Sequence, residues 1–292
     1  MDQELSPATE ETLLSSQKNE ITEYRIYEKL AGTLSDERNA EVLRDIAQDE
    51  LDHYEFWKGY TGQEVKPNLF KVWFYFLVAK VFGINFGVRL MENGEEEAQK
   101  VYARVAEEIP SAREIVDDED DHEERLLDVI DEERLQYIGS VVLGLNDALV
   151  ELTGALAGLT LAMQNTGLIA TAALVTGIAA SFSMAASEYL SIKSEGGEQD
   201  PLKASLYTGS AYIGTVLVLV LPYFFFADYY VCLVLTLAIA VATIFFFNYY
   251  ISVAQDLSFK ERFSEMAGIS LGVAALSFAI GFVIRHFMGV EI

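Results

Sequence analysis

Gly144-Leu145-Asn146-Asp147-Ala148-Leu149-Val150-Glu151-Leu152-Thr153-Gly154 lies inside an apolar run from about 137 to 163. A run of that length crosses a bilayer as a helix. Asp147 and Glu151 are spaced i,i+4, so both carboxylates lie on one face of that helix. A carboxylate at membrane depth is costly and by default marks an ion or proton pathway. Two paired acids could also sit in a buried soluble helix, but four more apolar runs follow, at about 167–190, 205–226, 229–251 and 264–288. The back of the chain therefore reads as five spans.

Composition divides the chain in the same way. Hydrophobic residues make up 51% of the 292 residues, yet the formal net charge is −25. Residues 1–136 hold 34 acidic and 15 basic residues, a net of −19, and residues 137–292 hold 11 and 5, a net of −6. An acidic domain, 1–136, is thus joined to an apolar domain, 137–292. Such acidity excludes nucleic acid as a partner and favours cations. Cys232 stands alone and forms no intrachain disulfide. The polar, acidic N-terminus shows no cleavable signal peptide.

The acidic half reads as four helices. Ser6-Pro7 starts the first, which runs to about Ala31-Gly32; Ser35-Asp36-Glu37 opens the second, ending near Gly59. A third carries Glu95 through Glu108 and stops at Pro110, and Ser111-Ala112-Arg113-Glu114 has the form of a capping box for the fourth. Short links within each pair and a long one between them predict a ferritin-like bundle with one crossover. The crossover, 69–91, is mostly apolar but carries Lys71, Lys80 and Arg89. A membrane span there would put the helix pairs on opposite sides of the bilayer. The charges and aromatics fit better a helix at the interface or one covering a partner subunit.

Chemistry in this half rests on Glu50-Leu51-Asp52-His53 and Glu119-Asp120-Asp121-His122. At i,i+3 a carboxylate and an imidazole project from one helical face and can hold one metal or bridge two. One ExxH in an acidic helix arises readily from composition; two, in the second helix of each pair, are far more specific. The bundle template needs one more Glu from each remaining helix. Glu20 fits by height. Glu95, Glu96 and Glu97 compete for the last place: Glu95 shares an i,i+7 spacing to a tyrosine with Glu20 (Glu20…Tyr27, Glu95…Tyr102), and Glu97 sits closer in height to His122.

These motifs, with Tyr27 and Tyr102, resemble the rubrerythrin branch of the ferritin-like superfamily over about residues 8–135. The resemblance implies a di-iron carboxylate site, with Mn or Zn as alternatives, held by Glu20, Glu50, His53, Glu95, Glu119 and His122. Rubredoxin-type cysteine pairs are absent from the sequence, so no electron relay of that kind is expected.

In the apolar half, basic residues set orientation. Lys193 and Lys203 follow the second span and Lys260 and Arg262 the fourth, whereas 164–166 and 227–228 carry none. The acidic domain and the 191–204 and 252–263 loops are expected to face the cytoplasm, with the C-terminus outside. His286 reads as interfacial rather than as a ligand. Gly154-x-x-x-Gly158 and Gly268-x-x-x-Gly272 allow close helix contact, within a subunit or along a dimer seam. In the second span Met184 and Glu188 are again i,i+4, and a thioether beside carboxylates suits transient Fe²⁺ or Mn²⁺ binding.

Gly144 through Val150, together with Ser183-Met184 and Glu188-Tyr189-Leu190-Ser191, resemble the vacuolar iron transporter family over about 135–290. The resemblance implies a homodimer with five spans per subunit that moves Fe²⁺ against protons, with Asp147 and Met184 on the pathway. The acidic insert of the plant members is missing: only Ser191 to Ala204 joins spans two and three. The whole arrangement resembles the membrane-bound ferritin type of bacteria and archaea. The expected fold is all-α, a ferritin-like four-helix bundle followed by a five-helix transmembrane domain, in a prokaryotic cell membrane. The expected function is iron export, with Asp147, Glu151, Met184 and Glu188 lining the route. A membrane-anchored ferroxidase or peroxide reductase is the alternative, and a metal-sensing scaffold a third class.

Overall fold

The structure is a computed structural model that describes residues 7–92, 105, 109–128, 132–196, 199–255 and 257–288. It is helical, with no strand among the described residues. The chain divides into two compact units, Met1–Asp131 and Glu132–Ile292.

In the first unit α1 (Pro7–Ala31) and α2 (Glu37–Thr61) pack side by side. Their short link makes them antiparallel. Asp36 caps α2 by accepting from the Asn39 amide at 3.0 Å. α2 ends at Thr61, just past Gly59, where Gly62 takes the left-handed conformation (φ 63°) that releases the chain. Ile26, Leu30, Leu43 and Ile46 fill one core and Leu13 and Trp57 another. The expected capping box at Ser111 is not seen. The helix opens with a 3₁₀ turn, Pro110–Ala112, that leads into α5 (Arg113–Asp128), and the Ser111 hydroxyl pairs with Tyr60 Oη at 3.0 Å. Of the third expected helix, Glu95 to Glu97 and Tyr102 lie outside the described residues, whereas Val105 is described, helical and buried beside Leu13 and Trp57.

The crossover forms two helices, α3 (Leu69–Phe82) and α4 (Ile84–Glu92). Asn68 caps α3 through the Phe70 and Lys71 amides, and Gly83 breaks the run at φ 103°. At 14 and 9 residues neither helix is long enough to cross a bilayer.

The second unit contains α6 (Glu132–Met163), α7 (Thr166–Glu195), α8 (Pro201–Val220, extended by a turn at Pro222–Phe225), α9 (Tyr229–Gln255) and α10 (Phe259–Met288). All five are long and apolar enough to cross a membrane. The outward faces carry large apolar side chains such as Val175, Phe182, Phe246 and Phe287, as lipid-facing helices do. α6 touches each of the other four and is the hub. Its glycines explain that role. A Cβ on Gly144 would collide with the Thr208 carbonyl of α8, and Gly154 and Gly158 lie against Val273 and Ser277 of α10. The first GxxxG thus serves packing within one subunit, whereas nothing lies within 4 Å of a Cβ on Gly268 or Gly272. Gly144→Ala should cost about 1–3 kcal/mol through overpacking, read as a lower melting temperature in detergent, while Gly268→Ala should cost less than about 0.5 kcal/mol.

Candidate functional site

Glu20 on α1, Glu50 and His53 on α2, and Glu119 on α5 each offer one ligand atom, and these atoms lie within 4.8 Å of one another. Glu20, Glu50 and His53 are buried, and Glu119 is nearly so. His53 Nδ1 stands 3.6 Å from Glu119 Oε1, 3.9 Å from Glu50 Oε2 and 4.0 Å from Glu20 Oε2. His122 joins from α5, its Nδ1 3.3 Å from Glu50 Oε1. The two imidazole centroids are 5.8 Å apart, with Glu50 reaching both rings. Five of the six residues singled out from sequence therefore meet in one place. Glu95, the sixth, lies outside the described residues.

Two aspartates complete the arrangement. Asp118 Oδ2 is 3.1 Å from His53 Nε2, and Asp49 Oδ2 is 3.1 Å from His122 Nε2. Each aspartate orients the histidine of the opposite helix and turns its Nδ1 inward. A signal for them was present: the motif is Asp-Glu-x-Asp-His in both places, Asp49–His53 and Asp118–His122. Arg125 holds Asp49 at 3.1 Å, and Trp57 Nε1 donates to Glu20 Oε1 at 3.0 Å.

Without a metal, protons balance this charge. Burial, then Glu50, Glu119 and Glu23, raises the Glu20 carboxyl well above the usual range. Burial alone would raise Glu50 too, but His122 and His53 outweigh it and hold it at about 2. Burial works against the imidazolium of His53 and of His122, yet both are raised, chiefly by Glu50 and by Asp118 or Asp49 respectively. Neither histidine Nδ1 has a hydrogen-bond partner, nor does Glu50 Oε2. Buried nitrogen and oxygen donors that converge unpartnered fit a divalent cation with mixed N and O ligation, such as iron, manganese or zinc.

The membrane residues form a second group. Asp147 is half-buried and Glu151 exposed on α6. Tyr212 of α8 donates to Glu151 Oε2 at 2.7 Å. On α7, Glu188 is buried and accepts from Ser140 Oγ at 2.6 Å, while Thr208 donates to the Ser140 carbonyl at 3.0 Å. Ser140 lies seven residues before Asp147, about 10 Å along the helix. Met184, packed at the edge of the membrane core, stands one turn from Glu188 toward the Asp147 level. The four residues thus sit at successive heights rather than around one point, and no hydrogen bond joins the α6 pair to the α7 pair among the described residues. Tyr212 and Ser140 were missed from sequence because nothing local marks them.

No curated protein matches the chain. Residues 138–197, which cover most of α6 and α7 with Asp147, Glu151, Met184 and Glu188, match the VIT family, and this match, with five membrane-length helices, supports a vacuolar iron transporter membrane domain.

Proposed function

We propose that this integral membrane protein exports Fe²⁺, with Mn²⁺ as a second cargo, from the cytoplasm in exchange for protons, as a homodimer. The observation that carries this reading is Asp147 and Glu151 on one face of a membrane span within the VIT-matched residues. Glu188, Met184, Asp147 and Glu151 form a ladder of donors along α6 and α7. A divalent ion can step along such a ladder without meeting a site deep enough to trap it. Carboxylates release protons as they bind metal, which supplies the coupling.

The acidic unit is a ferritin-like di-iron domain in this reading. Glu20, Glu50, His53, Glu119 and His122, with Glu95 as the sixth ligand, would hold the metal, and the bound pair would supply iron capture and redox chemistry. Asp49 and Asp118 keep both imidazoles in the tautomer whose Nδ1 binds. The burial of this cluster favours a second reading, a ferroxidase or peroxide reductase for which the spans serve as anchor. Fe²⁺ flux into vesicles of purified full-length protein, measured with a trapped iron-sensitive dye, decides between them: a proton-coupled flux supports export, and its absence beside intact iron oxidation supports the enzyme.

Metal loading of the acidic unit should weaken as pH falls from about 8 to about 6, by about tenfold per pH unit for each proton displaced. The sign follows from the raised His53, His122 and Glu20, which keep protons that the metal must displace. Calorimetric titration in buffers of different ionisation enthalpy counts those protons directly.

Orientation is tested separately. In a Cys232→Ser background, Ala227→Cys should react from outside with an impermeant thiol reagent and Ser194→Cys should not. The opposite labelling would reverse the direction of transport.

A further inference from the structure

The crossover helix α3 is apolar apart from Lys71 and Lys80, but much of its apolar surface is not used within the protein. Val72 and Ala79 are buried against the bundle, whereas Leu69, Phe70, Trp73, Phe74, Leu77 and Val81 remain between 45% and 79% exposed. At 3.6 residues per turn these six fall on one arc of about 140°, opposite Val72 and Ala79. Lys80, exposed, falls at the Leu69 edge inside this arc, and Lys71, also exposed, lies about 60° beyond the opposite edge. Lys29 of α1 lies over the Trp73 ring, 3.9 Å from its centroid. Residues 65–91 carry four basic residues and no acidic one, inside a unit that is otherwise strongly acidic.

We propose that the outward face of α3 docks on the headgroup region of a bilayer containing anionic lipid. Six large apolar side chains would enter the acyl boundary, and Lys29, Lys71 and Lys80 would meet the phosphates. Aromatic and aliphatic groups flanked by lysine are what an interfacial helix needs, and a local excess of positive charge in an acidic unit complements an anionic leaflet. A second copy of this face fits worse. A twofold contact of α3 on α3 would bring their lysines together with no acidic residue on the helix to pair with them. The proposal needs only that the protein resides in a membrane, not that it transports.

The chain has two tryptophans, and Trp57 is fully buried, so Trp73 is the natural reporter. Metal-free full-length protein is reconstituted into vesicles of phosphatidylcholine and phosphatidylglycerol with or without brominated acyl chains. Wild-type emission should fall in brominated vesicles by the Trp73 share, and Trp73→Phe should abolish that fall. Lys71→Gln and Lys80→Gln should each lower the docked-to-undocked ratio about fivefold in anionic vesicles, with less effect in pure phosphatidylcholine. Emission from Trp73 that ignores bromine overturns the proposal. If that emission is also shielded from aqueous iodide, a protein surface covers α3 instead; if iodide reaches it, nothing does.

Discussion

Asp147→Asn should abolish Fe²⁺ flux into vesicles while the protein still inserts, assembles and loads metal in its acidic unit. The change is nearly isosteric, so the packing of α6 survives; the neighbouring Ala148 and Leu149 in the helix core are untouched. What is lost is the charge that draws a divalent ion to this level of the span and the group that can trade it for a proton. Glu151 stands one turn further along the span, where Tyr212 donates to its Oε2, so it does not restore the charge at the Asp147 level. Met184→Leu keeps the volume and removes only the thioether, so flux should fall less and preference among divalent ions should shift. Flux and metal loading are measured on the same preparations. Wild-type flux in Asp147→Asn refutes the assigned route. Loss of flux and loading together reports misfolding, and the Asp147→Glu variant, which keeps the charge, then decides the matter by whether flux returns.

Glu20→Gln should lower metal affinity of the acidic unit by more than about a hundredfold, beyond the range of changes to groups that only orient ligands. It should leave the metal-free protein as stable as wild type or more so near neutral pH. The two effects part because Glu20 is costly without metal. It is fully buried among Glu50, Glu119 and Glu23, and its carboxyl is raised. A group with a raised folded pKa takes up a proton on folding, which weakens the fold above that pKa and ceases to do so as pH falls toward the unfolded value. Gln removes this penalty and can still accept from Trp57 Nε1, as Glu20 Oε1 does at 3.0 Å. Asp118→Asn is the comparison. It leaves all metal-binding atoms in place and frees only His53, so affinity should drop about 10–100-fold. Titration calorimetry and thermal melts with and without metal read both quantities. Unchanged affinity in Glu20→Gln removes Glu20 from the site.

The features legible in the sequence are those set by neighbouring residues. A helix that crosses a bilayer must satisfy its own backbone and be apolar for about 20 residues, so the runs at 137–163 and 229–251 declare themselves without partners. His53 and Glu50 share a face because three residues of helix place them there, and the same holds for Asp147 and Glu151. Helix ends were less legible. Gly59 carries the same stop signal as Gly62, but only Gly62 adopts a positive φ, and Ser111 found Tyr60 rather than its own helix.

Contacts between helices were decided by the tertiary structure alone. Asp118 orients His53 across 65 positions of chain, and Asp49 orients His122 across 73. Tyr212 reaches Glu151 and Ser140 reaches Glu188 from other spans, and Gly154 and Gly158 lie against Val273 and Ser277 of α10. A side chain's local periodicity states which way it faces, but not which of several helices stands there or at what height. That is settled only when all the apolar faces pack at once, and the packing leaves Glu188 about 10 Å along α6 from Asp147, although each residue announces itself in the sequence by the same i,i+4 pairing.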